Sequence, residues 1–355
     1  MKSTLGFATL QDELSYIILI VNDSSQIARK SMQAILQTSY GPPEVLQLAE
    51  VEKPAPTENQ VLVKVQAASV NALEWRPFTM SPIFIRLIGG LRKPKDPRLG
   101  TDVAGQVEAV GSNVTEFQPG DEVFGVAPGT FAEYVCAGKT KLALKPANLS
   151  FEAAAAIPVA AFTAAQGLRD RGQIQPGQKV LIYGASGGVG TFAVQIAKAF
   201  GAQVTALCST RNLAMVRSLG ADHVFDYSRE NFTQKGECYD LILAVNGYCP
   251  ILDYRRALCP AGTCVIVGGS MAQVLQGLLL GPLLSRTGNQ KIGFMMAQTD
   301  QKDLVFMREL VEAGKVMPVI DRCYPLSEVP KALRYLIDEH AQGKVVITLA
   351  HNNKI

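Results

Sequence analysis

Residues 179–211 read KVLIYGASGGVGTFAVQIAKAFGAQVTALCSTR. Residues 180–183 form an unbroken apolar run, the pattern of a strand buried on both faces of a parallel sheet. The run ends in Gly184-Ala-Ser-Gly-Gly-Val-Gly190. Apolar residues then return at helical spacing over 189–200, and Gly201 closes the helix. Residues 203–208 read as a second strand. A strand, a glycine turn, a helix and a strand within about 30 residues is the pattern of a dinucleotide-binding unit. The glycines let the backbone approach a pyrophosphate, and the helix N-terminus offers free N–H groups and its positive dipole end. Ser186, Gly187, Gly188, Val189 and Gly190 are therefore the expected phosphate contacts. The alternative is a glycine-rich turn without ligand, but both flanks of the motif favour the nucleotide.

An NAD site usually places an acid at the end of the second strand, about 20 residues past the glycines, to hold the ribose 2′-OH. No acidic residue occurs from Arg171 through Ala221. Ser209, Thr210 and Arg211 stand at the expected place. A hydroxyl and a guanidinium suit a 2′-phosphate, which an acid would repel. The expected cofactor is NADPH. The alternative reading of Arg211 is a solvated charge at the start of the next helix.

The chain has 355 residues, enough for two domains. Its 48% apolar and 18% charged residues describe a packed globular protein. A net charge of +3 without a long basic run gives no sign of a nucleic-acid partner. Seven scattered cysteines, with no Cys-x-x-Cys pair, read as small core residues in a reducing, cytoplasmic setting. Residues 1–31 carry one short apolar patch at 17–21, preceded by Asp12 and Glu13, which is neither a signal peptide nor a membrane span. They read as a loose N-terminal extension, such as an upstream start codon would add.

From Met32 the period becomes that of strands, over 32–38, 45–51, 61–68, 103–110, 120–125 and 131–136. This predicts a barrel-like β domain over 32–157. An alanine-rich helix follows at 152–166, with Pro158 inside it. Alternating strands and helices then predict a doubly wound parallel-sheet domain over 158–298, with further strands at 223–225, 241–245 and 264–267. Helices at 304–313 and 329–339 and a strand at 344–349 complete a C-terminal segment, 299–355. Two apolar stretches, 78–91 and 271–284, fall outside this scheme, and Arg92, Lys93 and Lys95 follow the first.

The chain resembles the zinc-independent quinone oxidoreductases of the medium-chain dehydrogenase/reductase superfamily. The resemblance rests on Ala68-Ser-Val-Asn71, Gly100-Thr-Asp-Val-Ala-Gly105, Gly120-Asp-Glu-Val-Phe-Gly125, Ala155-Ala-Ile-Pro-Val159, Ala164-Ala-Gln-Gly-Leu168, Ala185-Ser-Gly-Gly-Val-Gly190 and Gly343-Lys-Val-Val-Ile347. Cys208-Ser-Thr-Arg-Asn212, Ser218-Leu-Gly-Ala-Asp222 and Asp226-Tyr227 are most similar to the chloroplast-envelope quinone oxidoreductase homologues. These act on unsaturated ketones and aldehydes derived from oxidised lipids. The resemblance implies a GroES-like β-barrel catalytic domain, completed by the C-terminal segment, beside a Rossmann domain, with the active cleft where they meet.

The superfamily's zinc enzymes place a Cys where this chain has Asn71, and a Gly-His-Glu where it has Gly100-Thr101-Asp102. Both ligands are missing, His223, His340 and His351 have no partner at ligand spacing, and the four-cysteine lobe is absent. No metal is expected. Hydride would go to an activated electrophile, a quinone or the β-carbon of an enone. The resemblance puts Asn71 toward nicotinamide and substrate, where its amide would polarise a carbonyl, or else satisfy a turn. Asp102 reads as a loop-fixing residue before a catalytic one, and Trp75 as a substrate wall or core filler. The resemblance also implies that Thr163 contacts the carboxamide and Tyr227 the adenosine phosphate. Asn246, Gly247, Gly268 and Gly269 end later strands at the carboxyl edge, where ligands bind. Tyr183, Tyr248 and solvent stay open as proton donors.

Segments 78–91 and 271–284 are expected to form the mouth for an apolar carbonyl or quinone substrate, with Arg92, Lys93 and Lys95 resting on an anionic membrane. The alternative for 271–284 is a homodimer contact or a buried helix. The alternatives to a reductase are a non-catalytic, crystallin-like NADPH-binding protein and a zinc-type alcohol dehydrogenase.

Overall fold

A computed structural model describes residues 31–72, 74, 93–234, 236–339 and 341–350. Trp75, segment 78–91, Arg92, His340, His351 and the N-terminal extension through residue 30 lie outside the described residues.

The first half is β-rich. Strands β1 (Ser31–Leu36) and β2 (Gln47–Glu52) form an antiparallel pair. The strand pattern thus begins at Ser31, one residue before the expected Met32. Strands β3 (Gln60–Val70), β4 (Asp102–Val110), β5 (Glu122–Val126), β6 (Tyr134–Gly138) and β7 (Leu142–Leu144) follow. Apolar side chains of β3, β4, β5 and β6 close on one interior that holds Val63, Val65, Val103, Phe131 and Val135.

The alanine-rich stretch is broken into α1 (Phe151–Ala155) and α2 (Pro158–Ala165). Ser150 caps α1 by accepting from the Ala153 N–H, and Pro158 opens α2 where no N–H is needed. A π-helical turn, Gln166–Arg171, extends α2. The second half alternates: β8 (Lys179–Tyr183), α3 (Gly188–Ala199), β9 (Gln203–Cys208), α4 (Leu213–Ser218), β10 (His223–Asp226), β11 (Tyr239–Ala244), α5 (Ile251–Ala257), β12 (Leu258–Ile266), α6 (Met271–Arg286) and β13 (Lys291–Phe294). These strands form a parallel sheet in the order β10-β9-β8-β11-β12-β13. That order turns over between β8 and β11, the topological switch point where such sheets bind ligands. The sheet is buried on both faces, as the unbroken apolar runs of β8 and β11 require.

The chain returns to the barrel through α7 (Gln301–Glu312), β14 (Ile320–Pro325), α8 (Val329–Asp338) and β15 (Lys344–Thr348). Strand β15 pairs with β3, Val345 opposite Val70, in a sheet of order β14-β15-β3-β4-β5-β7. Just before β15, Gly343 bridges Gly187 and donates its N–H to the Ser186 carbonyl at 2.9 Å. A φ of +79°, with the Val319 carbonyl 2.3 Å from where a Cβ would sit, requires glycine at 343.

The apolar stretch at 271–284 is the exposed helix α6, which rules out the buried-helix alternative. Its small residues, Gly277 and Gly281, press on β13, and Met271, Leu275, Leu278, Leu279 and Leu283 face outward. No described helix is long and apolar enough to cross a membrane.

The cysteine reading needs correction. Cys238 and Cys259 form a disulfide, with Cα atoms 4.8 Å apart. They lie 21 residues apart in sequence, but the parallel pairing of β11 and β12 brings them together. Cys208, Cys249 and Cys264 are buried, as expected of core cysteines, whereas Cys136 is half-buried and Cys323 exposed.

Candidate active site

The glycine turn and the start of α3 face the segment that leads into β15. Gly187 caps α3 with no side-chain bond, so the first-turn amides of Gly188, Val189 and Gly190 have no acceptor within the helix. A Cβ on Gly187 would meet nothing nearer than 3.9 Å, which leaves room above the turn for a phosphate. A Cβ on Gly190 would lie 2.1 Å from the Gly184 carbonyl, so that glycine serves close strand–helix packing. This is a cradle that fits a pyrophosphate.

At the end of β9 sit Ser209 and the exposed Arg211. The buried Asn212 donates through its side-chain amide to Ser186 Oγ at 2.9 Å and Ser209 Oγ at 3.1 Å. Gln342 donates to the Asn212 carbonyl oxygen at 2.6 Å. Asn212 thereby ties the glycine turn, the end of β9 and the C-terminal segment together; nothing in its spacing along the sequence marks it. Asp226, at the end of β10, accepts from the Thr210 hydroxyl and from both the hydroxyl and the N–H of Ser228. The hydrogen bonds from Ser228 and Thr210 hold its carboxyl below the usual range. Its lone pairs are engaged inside the turn, and Tyr227 beside it is exposed. Asn246 and Gly247 are exposed beyond the end of β11, while Gly268 and Gly269 follow β12, buried and half-buried.

The junction of barrel and sheet domain holds a buried polar cluster. Lys344, 3% exposed, donates to the Asn71 side-chain oxygen, to the Val70 carbonyl at 3.1 Å and to Asp102 Oδ2 at 3.4 Å. Its stem lies over Gly188, where an added Cβ would meet Lys344 Cδ at 2.9 Å. Asp102, fully buried, also accepts from Ser69 Oγ at 2.7 Å, Asn71 Nδ2 at 2.9 Å and the Val159 N–H at 3.0 Å. Asp102 therefore joins β3, β4 and α2. The Asn71 amide is oriented by charge, its oxygen to the cation and its nitrogen to the carboxylate. Among the described residues, Asp102 takes one of the two Nδ2 hydrogens, and the other could serve a ligand.

Glu74, 3% exposed, completes the cluster. It accepts from the Asn71 N–H at 2.7 Å and from Thr101 Oγ1 at 2.6 Å. Burial pushes its carboxyl up to about 7, helped by the Asp102 charge and opposed by the Thr101 hydrogen bond and by Lys344. Neither Lys344 nor Glu74 was singled out from sequence. Lys344 could have been, because the Gly343-Lys344 pair opens a strand that the resemblance returns to the barrel.

Thr163 is buried, and its hydroxyl donates to the Val159 carbonyl at 2.6 Å, so only its oxygen lone pairs can serve a ligand. Tyr183 packs edge-on against Phe232 and Tyr254, donates to the Tyr248 carbonyl at 3.2 Å, and is pushed up to about 12 by burial. That makes it a poor acid, in the core on the sheet face away from α3. Among the described residues, no three His, Cys, Asp or Glu side chains converge as metal ligands.

A nucleotide cradle on a doubly wound sheet, joined to a β-barrel through a buried charged cluster, defines a two-domain dehydrogenase or reductase. Residues 57–147 match the alcohol dehydrogenase GroES-like domain, and residues 219–347 match a family described as zinc-binding dehydrogenase. The chain is 35% identical to the NADPH-dependent alkenal/one oxidoreductase, chloroplastic, of Arabidopsis thaliana, covering 98% of this chain and 86% of that protein. It is 33% identical to the chloroplast envelope quinone oxidoreductase homolog of Arabidopsis thaliana, covering 90% and 99%. It is 36% identical to the 2-methylene-furan-3-one reductase of Solanum lycopersicum, covering 89% and 79%. The solved quinone oxidoreductase from Coxiella burnetii superposes with a TM-score of 0.81 at 30% identity, over 90% of this chain and all of that one.

The chain belongs to the medium-chain dehydrogenase/reductase superfamily, in the branch of quinone and alkenal oxidoreductases. It is an oxidoreductase that uses a nicotinamide cofactor.

Proposed function

We propose that this protein is a metal-free, NADPH-dependent reductase of α,β-unsaturated carbonyls and quinones. A bound dihydronicotinamide supplies the hydride. The α3 N-terminus would hold the pyrophosphate through the amides of Gly188, Val189 and Gly190. Ser209, Arg211 and Tyr227 would hold the 2′-phosphate. The observation that supports the NADPH preference is the placement of Ser209 and the exposed Arg211 at the end of β9, with the ionised Asp226 held in hydrogen bonds to Thr210 and Ser228. Asn71, fixed by Lys344 and Asp102, would donate its remaining amide hydrogen to the substrate carbonyl as charge develops there. Where the zinc enzymes hold metal ligands, this chain offers an amide, Asn71, and a hydroxyl, Thr101, which supports metal-free chemistry.

The outward leucines of α6 support an apolar partner at this end of the sheet: the substrate itself, a second copy of the chain, or a membrane surface. A screen of NADPH and NADH oxidation over quinones, 2-alkenals and plain ketones tests the proposal. Reduction of quinones and alkenals with NADPH is expected, unchanged by chelator. Equal use of both cofactors, or dependence on a bound metal, would overturn it. A cytoplasmic location is part of the same proposal. Subcellular fractionation checks it, and a thiol count on the denatured, unreduced protein should find five free thiols beside the Cys238–Cys259 bond.

A further inference from the structure

Hydride addition to an enone leaves an enolate that needs a proton, and Tyr183, donating to the Tyr248 carbonyl and pushed up to about 12 by burial, is a poor source. Among the described residues, Glu74 is the buried acid with no cation at ion-pair distance. Asp102, Asp226 and Asp303 are each paired, at 3.4, 3.7 and 2.6 Å. Glu74 is as buried as they are, and among the described residues its carboxyl meets two neutral donors, the Asn71 N–H and the Thr101 hydroxyl. These donors are not equivalent. A backbone N–H can only donate, so Glu74 Oε2 must stay an acceptor in either protonation state. A hydroxyl can reverse, giving its hydrogen to a carboxylate or accepting one from a carboxylic acid. When Glu74 is protonated on Oε1, that hydrogen goes to Thr101 Oγ1, and the Thr101 hydrogen is released to point elsewhere. Thr101 is half-buried while Asn71, Glu74 and Asp102 are buried, so of these four it alone keeps appreciable open surface.

We propose that Thr101 is the proton donor for C=C reduction and that Glu74 is its buried proton store. The step rests on the enone reading above. Hydride adds to the substrate β-carbon, and the π electrons move to the enolate. The α-carbon–hydrogen bond forms as the Thr101 O–H bond breaks, and Thr101 recovers a hydrogen as the Glu74 O–H bond breaks. The carboxylate left at Glu74 is then reprotonated from solvent. One enone, one NADPH and one proton give one saturated carbonyl and NADP+. A carboxyl that titrates near neutrality is suited to this role, able both to give a proton and to regain it. The charges facing it are Asp102 on β4, which favours the proton, and Lys344 on β15, which opposes it.

The test compares wild type, Glu74→Gln, Thr101→Val and Thr101→Ser from pH 5.5 to 9 with NADPH and trans-2-hexenal. Infrared titration of the cofactor-free proteins gives a readout independent of turnover. Glutamine keeps an acceptor for the Asn71 N–H, so the fold should survive, and unchanged NADPH binding would confirm it. In wild type, kcat should fall as pH rises through about 7, and a buried carboxylic-acid band should disappear over the same range. Glu74→Gln should lack that band, lose about 100-fold in kcat at pH 6 and show a flat profile; Thr101→Val should lose as much, and Thr101→Ser should restore activity. An unchanged pH limb in Glu74→Gln, or full activity in Thr101→Val, would overturn the proton route and leave the enone reading standing. A wild type that reduces quinones and no enone would overturn that reading and the route with it.

Discussion

Lys344→Met is the most demanding test of the charged junction. The substitution keeps a long apolar stem over Gly188 and removes only the ammonium. Lys344 and Asp102 are 3% and 0% exposed and 3.4 Å apart, so Asp102 would be left as a buried charge without its cation. Breaking a buried pair from one side costs about 3–5 kcal/mol. Asp102 keeps the donors of Ser69, Asn71 and Val159, which places the cost near the lower end, about 3 kcal/mol. In a protein of this size that is roughly 4 °C in Tm. The double variant Lys344→Met/Asp102→Asn removes both charges and should recover part of the loss: the amide oxygen at 102 can keep Ser69 and Asn71 as donors, while its NH2 faces the Val159 N–H and the Val70 and Asn71 oxygens stay without their ammonium donor. Thermal and urea unfolding of wild type, both single variants and the double variant completes the cycle. A loss below about 1 kcal/mol for Lys344→Met, or a double variant no more stable than Lys344→Met alone, would refute the pairing.

Three further outcomes follow from the same geometry. Arg211→Ala should raise KM for NADPH about tenfold or more and leave NADH use little changed, since one or two charge-assisted bonds to a 2′-phosphate are lost; steady-state kinetics with both cofactors checks it. Glu74 is raised from 4.5 to about 7 in the folded chain, so between these pH values the folded state holds a proton that the unfolded state has released, and stability falls as pH rises through that window. The fall is about 3 kcal/mol at most, and urea midpoints at pH 5 and 8 should show it in wild type and not in Glu74→Gln. Asn71→Ala should lower kcat and also destabilise the fold, because the amide joins Lys344 to Asp102; normal activity with normal stability would remove Asn71 from the site.

The unit at 179–211 was legible because its physics is local. An unbroken apolar run needs a two-sided sheet, and β8 and β9 lie at 179–183 and 203–208, with α3 at 188–199 between them. The missing acid at Ser209, a negative signal, also stands in linear sequence. The short strands β7, β13 and β14 were not legible, since three to six residues at an edge carry too little period to separate from loop. Pro158 stood in the reading as part of one helix, whereas the chain uses it to start a second.

The sequence by itself determined the two domains' secondary-structure classes and the glycine turn between β8 and α3. Each depends on neighbours within about 30 residues. Only the tertiary structure decided what Asn71 and Asp102 do. Their partners, Lys344 and Val159, lie 273 and 57 positions away along the chain. The Cys238–Cys259 pair and the Asn212 link to Gln342 were hidden for the same reason. Buried charge must find its counterpart wherever the chain passes nearby, and that proximity is set by strand pairing and domain closure.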